Sequence, residues 1–131
     1  MKLPAWWTTD PNEPFELGPR RIPGRIWTAS GCFAYGLTGH EMTAPGFPSP
    51  YEGIGAVVTK TVTPQARPGN PMPRLVETGQ GAINSIGLDN VGFEEFLART
   101  LPELEDRGVP TVVSLAATRP EEFGQMAARL H

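Results

Sequence analysis

Apolar and polar positions divide the chain into two kinds of segment. Three short runs are apolar and β-branched: Arg25-Ile26-Trp27-Thr28-Ala29, Gly55-Ala56-Val57-Val58-Thr59 and Pro110-Thr111-Val112-Val113-Ser114-Leu115-Ala116. Their near-continuous hydrophobicity suits strands buried on both faces of a parallel sheet. Two other stretches repeat apolar residues every three or four positions. Phe93, Phe96, Leu97, Leu101 and Leu104 share one face of a helix over residues 93–107. Pro102 is expected to kink or split that helix, and Gly108 to stop it. Thr118, with Glu121 three residues on and Pro120 in the first turn, predicts a second helix through Phe123, Met126, Ala127 and Leu130. The order strand, loop, strand, long loop, helix, strand, helix predicts an α/β fold built from consecutive β/α units.

Composition adds the loops. Gly and Pro number 15 each in 131 residues. They crowd into residues 4–24, 45–55 and 64–81 and leave the periodic segments almost free. Residues 1–24 therefore read as an irregular arm, with Trp6 and Trp7 packed against the body. Residues 61–83 read as a long functional loop, in which Arg67 and Arg74 stiffen a proline-rich path. The helical acidic residues Glu94, Glu95, Glu103, Glu105 and Asp106 read as a solvated face.

Charge and cysteine narrow the function. A formal net charge of −3 without a basic block argues against a nucleic-acid footprint. No apolar stretch approaches the roughly 18 residues of a membrane span, and the first residues lack a signal-peptide core. A cytoplasmic location is expected. Cys32 is the only cysteine, so no internal disulfide forms, and it reads as a small packed thiol. His40 and His131 have no partner at metal-ligand spacing, so no metal is expected.

The chemistry concentrates at Lys60 and at Asn84-Ser85-Ile86-Gly87-Leu88-Asp89-Asn90. A cation ending a buried strand lies at the carboxyl end, where α/β sheets and barrels bind ligands. The Asn loop offers amide donors, acceptors and backbone N–H groups to a flat polar heterocycle. The plainer alternatives are a structural salt bridge for Lys60 and a loop-capping amide for Asn84.

Four blocks in order carry a resemblance: Ala29-Ser30-Gly31-Cys32-Phe33-Ala34-Tyr35-Gly36, Val58-Thr59-Lys60-Thr61-Val62-Thr63, Gly69-Asn70-Pro71-Met72-Pro73-Arg74 and Ile83-Asn84-Ser85-Ile86-Gly87-Leu88-Asp89-Asn90. A weaker fifth is Val112–Ala117. In these, over about residues 25–130, the chain resembles the soluble class of dihydroorotate dehydrogenases, flavin-dependent (β/α)8 barrels. A closed barrel takes about 250 residues. The resemblance thus implies the amino-terminal portion of a TIM barrel: an arm over 1–24, then about three β/α units over 25–131.

The resemblance also implies roles. FMN is the implied cofactor, with Ala29, Ser30, Lys60, Thr61 and Ser114 as its contacts. Lys60, Asn84, Ser85, Ile86, Gly87 and Leu88 would hold a pyrimidine substrate. No catalytic residue is assigned, because the family's base follows the fourth strand, beyond residue 131. The implied activity of a full-length parent is oxidation of dihydroorotate to orotate in pyrimidine synthesis, with this chain alone inactive. A homodimer and a FAD/iron–sulfur electron-transfer subunit are the implied partners. The acceptor stays open between NAD, fumarate and another oxidant. Two alternatives remain: a related FMN-dependent pyrimidine oxidoreductase of the dihydropyrimidine dehydrogenase kind, and a non-catalytic fragment.

Overall fold

The computed structural model describes residues 10–37, 51–108 and 110–130. Trp6, Trp7, His40 and His131 lie outside them. The chain forms two compact units, Met1–Lys60 with Pro102–Val113, and Thr61–Leu101 with Ser114–His131.

In the first unit, β1 (Phe15–Leu17) and β2 (Arg20–Ile22) pair antiparallel, with Phe15 opposite Ile22 and Leu17 opposite Arg20. The irregular arm expected over 1–24 is therefore corrected for these residues. The hairpin is fixed by its aromatic face: Phe15 stacks on Trp27 with ring centroids 6.3 Å apart, and Arg25 lies over Phe15. The parallel pattern expected of the apolar runs is present in shorter form. Trp27 bridges Ala56, and β3 (Val57–Val58) pairs in parallel with β6 (Thr111–Val112). Val57 N donates to Pro110 O at 2.8 Å and Thr59 N to Val112 O at 3.0 Å, the slanted ladder of parallel strands. Val57 and Leu104 form the buried core, with Phe33, Leu37 and Tyr51 packed against it. Leu104 comes from α2 (Leu101–Asp106), on the helical face that the periodicity picks out.

In the second unit, Val62 bridges Leu115 in parallel, through Val62 N to Ser114 O at 2.8 Å and Ala116 N to Val62 O at 3.0 Å. β4 (Leu75–Thr78) and β5 (Gly81–Asn84) form an antiparallel hairpin, with Leu75 opposite Asn84. The long loop expected over 61–83 is thus a loop followed by a hairpin. α1 (Phe93–Glu95) leads into a π-helical turn, Phe96–Thr100, and both Phe93 and Phe96 are buried. Leu101 N–H bonds back to Phe96 O, closing the wide turn, and Pro102 then falls in the first turn of α2. An absent N–H costs least at that position. The helix therefore changes type ahead of Pro102 instead of splitting.

α3 (Pro120–Arg129) starts one residue later than its expected cap. Arg119 is the N-cap, and Glu122 Oε2 accepts from the N–H groups of Thr118 and Arg119 and from Thr118 Oγ1. Together these elements make a mixed α/β arrangement with no closed barrel among the described residues. No helix among them is long and apolar enough to cross a membrane.

Candidate functional site

Lys60 ends the β3 segment in the first unit. Its backbone is held by the preceding turn: Lys60 N donates to Ala34 O at 2.7 Å, and Ser30 Oγ donates to Thr59 O at 2.8 Å. The turn itself closes through Cys32 N to Ala29 O and Ala34 N to Gly31 O. Val58 N donates to Thr28 Oγ1 at 3.0 Å, which anchors the strand one step earlier. Lys60 is half-buried, and its ammonium forms no ion pair among the described residues. The salt-bridge alternative for Lys60 thus finds no partner there. Ala29 and Ser30 are exposed beside the strand end. Cys32 is exposed too, which corrects the packed thiol; the turn carries it outward.

Asn84 closes β5 in the second unit and is exposed, and the chain then turns through Ser85–Leu88. That turn is braced by Asn70. Asn70 Nδ2 donates to Ser85 O at 3.0 Å and Ser85 Oγ at 2.7 Å, while Asn70 N donates to Ile86 O at 3.0 Å. Two glycines permit the approach. Gly87 has φ +78°, and a Cβ there would lie 2.7 Å from Asn70 Oδ1; at Gly69 a Cβ would lie 2.5 Å from Ile86 O. Arg74 joins the loops, pairing with Asp89 at 2.7 Å and donating to Pro68 O at 3.3 Å. This is the stiffening role expected of it. Among the described residues, the N–H groups of Ile86, Gly87 and Leu88 donate to nothing. They form a short arc of donors beside the Asn84 amide.

Thr61 and Ser114, from neighbouring strand ends of the second unit, join hydroxyls at 2.9 Å. Of the residues expected to share a site, the structure groups Ala29 and Ser30 with Lys60, pairs Thr61 with Ser114, and keeps Asn84–Leu88 in one loop. Asn70, Thr63 and Asn90 are what sequence reasoning missed as site supports. Thr63 and Asn90 cross-link the start of one loop to the end of the other, a long-range pairing with no local sequence signal. A cavity of about 480 Å³ in the same unit is lined by Thr63, Gln65, Arg67, Leu88, Thr118 and Glu122, among others. Only Leu88 of these figures among the expected site residues.

The chain matches the family model described as Dihydroorotate dehydrogenase over residues 19–131. It is 39% identical over 120 residues to the protein named dihydroorotate dehydrogenase B (NAD(+)), catalytic subunit, of Pelobacter propionicus, covering 92% of this chain and 38% of that protein. Proteins of the same name from Maridesulfovibrio salexigens and Trichlorobacter lovleyi are 41% and 36% identical, over 84% and 88% of this chain and 34% and 36% of theirs. The chain therefore spans little more than a third of these relatives' length. The nucleotide that all three names print is NAD(+), in place of the FMN expected from the sequence.

Proposed function

Because the chain belongs to the dihydroorotate dehydrogenase family, we propose that it forms the substrate-holding portion of a catalytic subunit that oxidises dihydroorotate to orotate in pyrimidine synthesis. The relatives' names support NAD(+) as the acceptor: dihydroorotate and NAD(+) give orotate, NADH and a proton. The words "catalytic subunit" support a separate electron-transfer partner. A cytoplasmic location and a TIM-barrel parent belong to the same reading.

In this reading Lys60 meets the substrate carboxylate. Its half-buried ammonium pairs with no carboxylate among the described residues, and a charge-assisted hydrogen bond is about twice as strong as a neutral one. Ser30 and the Ala34 carbonyl fix the strand end that carries it. Asn84 and the N–H groups of Ile86, Gly87 and Leu88 hold the ring's amide edges, with Ser85 locked beneath by Asn70. Thr61 and Ser114 stiffen adjacent strand ends through their shared hydroxyl bond. The observation that carries the reading is the Asn70-braced loop of open N–H donors in a chain with this family match.

The test joins this chain to the remaining part of the Pelobacter propionicus subunit and assays the product with its partner subunit. Turnover of dihydroorotate well above dihydrouracil is expected, because dihydrouracil lacks the carboxylate. Equal turnover of the two would contradict the assignment.

A further inference from the structure

Leu88 has a backbone conformation that its side chain disfavours. Its φ is +56°, in the left-handed region that a γ-branched residue rarely enters unless neighbouring groups hold it there. The hold comes from Asn90. Asn90 Nδ2 donates to Leu88 O at 2.6 Å, reaching back two residues, and also to Thr63 Oγ1 at 2.9 Å. Its Oδ1 accepts from Thr63 N at 3.1 Å and Gly92 N at 3.0 Å. Thr63 Oγ1 lies 2.6 Å from Gln65 O, so its proton has an acceptor and its lone pair is left for the Asn90 amide. The Asn90 backbone exchanges both hydrogen bonds with Arg67 at 2.9 Å.

The residue is thus pinned by Thr63, Arg67 and Gly92, all outside the Ser85–Leu88 turn, and is only 6% exposed. From that fixed base one N–H reaches into the turn. The opposite end of the turn is pinned by Asn70 at Ser85 and Ile86. With both ends held, the Gly87 and Leu88 N–H groups keep one direction. An amide side chain is required, because the position needs two acceptances and two donations from one planar group. Aspartate accepts but cannot donate, and glutamine adds a methylene to a group whose amide hydrogen bonds already span 3.1 Å or less.

We infer that Asn90 is a positioning residue: it holds Leu88 in its left-handed conformation and thereby shapes the donor arc of Ile86–Leu88 for a flat pyrimidine carboxylate. The inference rests on the functional reading of that loop above. It adds a residue that touches no ligand and that sets the geometry of those that do.

The test uses the 131-residue chain labelled with ¹⁵N, and orotate as the probe. The three-bond HN–Hα coupling of Leu88 reports its φ without any ligand. Asn90→Asp keeps both acceptances and loses the donation to Leu88 O. It is expected to retain the dispersed amide spectrum, shift the Leu88 coupling and weaken orotate binding about tenfold, the usual size of a lost hydrogen bond. Adding Leu88→Gly to Asn90→Asp is expected to recover most of the loss, since glycine enters positive φ freely. A merely structural Asn90 would not respond to that second change. An unchanged Leu88 coupling and unchanged orotate affinity in Asn90→Asp would overturn the inference, as would absence of recovery in the double variant. Should Asn90→Asp not fold, Thr63→Val carries the test, because it removes one acceptor that orients the Asn90 amide. Weaker orotate binding in the folded variant supports the inference, and unchanged binding overturns it. If the unsubstituted chain takes no orotate, the proposed function falls, and the Leu88 coupling alone decides the positioning role.

Discussion

Arg74 pairs with Asp89 at 2.7 Å, with both side chains about one-third exposed or less, and its second nitrogen reaches Pro68 O. One guanidinium therefore spans the start of the proline-rich loop and the end of the Asn84 turn. Its partial burial places it above an ordinary surface pair in value. Arg74→Ala is expected to lower stability by about 1 kcal/mol, read as a shift in urea midpoint. A double cycle with Asp89→Asn checks it: full additivity would mean that the two groups do not interact.

Gly87→Ala tests the close approach between the loops. The new Cβ would meet Asn70 Oδ1 at 2.7 Å on a backbone at φ +78°. A cost of about 1–3 kcal/mol follows from the conformation alone. Because the clash lies in the turn, orotate binding should fall further than stability does. Thermal melting and an orotate titration on the same sample check this.

Leu104→Ala removes the side chain packed against Val57, both of them almost wholly buried. A loss of about 3 kcal/mol is expected, the middle of the range for such truncations. Equilibrium denaturation measures it, and a change below about 1 kcal/mol would mean that the site collapses without a cavity.

Arg129 grips both carboxylate oxygens of Glu94 and lies over the Phe93 ring, tying α3 to α1. The hydrogen bond from Arg129 is the main reason that the Glu94 carboxyl ionises below its ordinary value. A carboxylate depressed in the folded state stabilises above its unfolded pKa, and that contribution fades as the pH falls through the folded value. Glu94 should titrate lower in the unsubstituted chain than in Arg129→Ala, and the helix tie should loosen only in acid, below the ordinary glutamate range. A carboxyl-detected NMR titration checks both. Identical midpoints would show that the pair does not form in solution.

The residues explain what was legible in the sequence. Val57-Val58 and Thr111-Val112 are strands because buried parallel pairing needs apolar, β-branched residues, and that demand is written locally. The spacing of Phe93, Phe96 and Leu104 likewise marked the buried helical face. The β4–β5 hairpin was hidden, although Gly79-Gln80 between Leu75–Thr78 and Gly81–Asn84 is a two-residue turn signal. The dense prolines just before it made the whole stretch read as loop. The start of α3 slipped by one residue because Glu122, not Glu121, receives the capping N–H groups. Lys60 and the Asn84 loop were singled out as candidates from residue type and order. Their supports were not, since Asn70–Ser85 and Thr63–Asn90 join residues 15 and 27 positions apart. Such bonds depend on how loops fold back, and no local pattern encodes them.

The proposed function makes Lys60 the partner of the substrate carboxylate. Titration of the 131-residue chain with orotate and with uracil, compared with its Lys60→Ala variant, tests it most directly. Loss of a charge-assisted contact should weaken orotate binding about tenfold or more while leaving uracil unchanged. Equal orotate affinity in the two proteins would contradict the account.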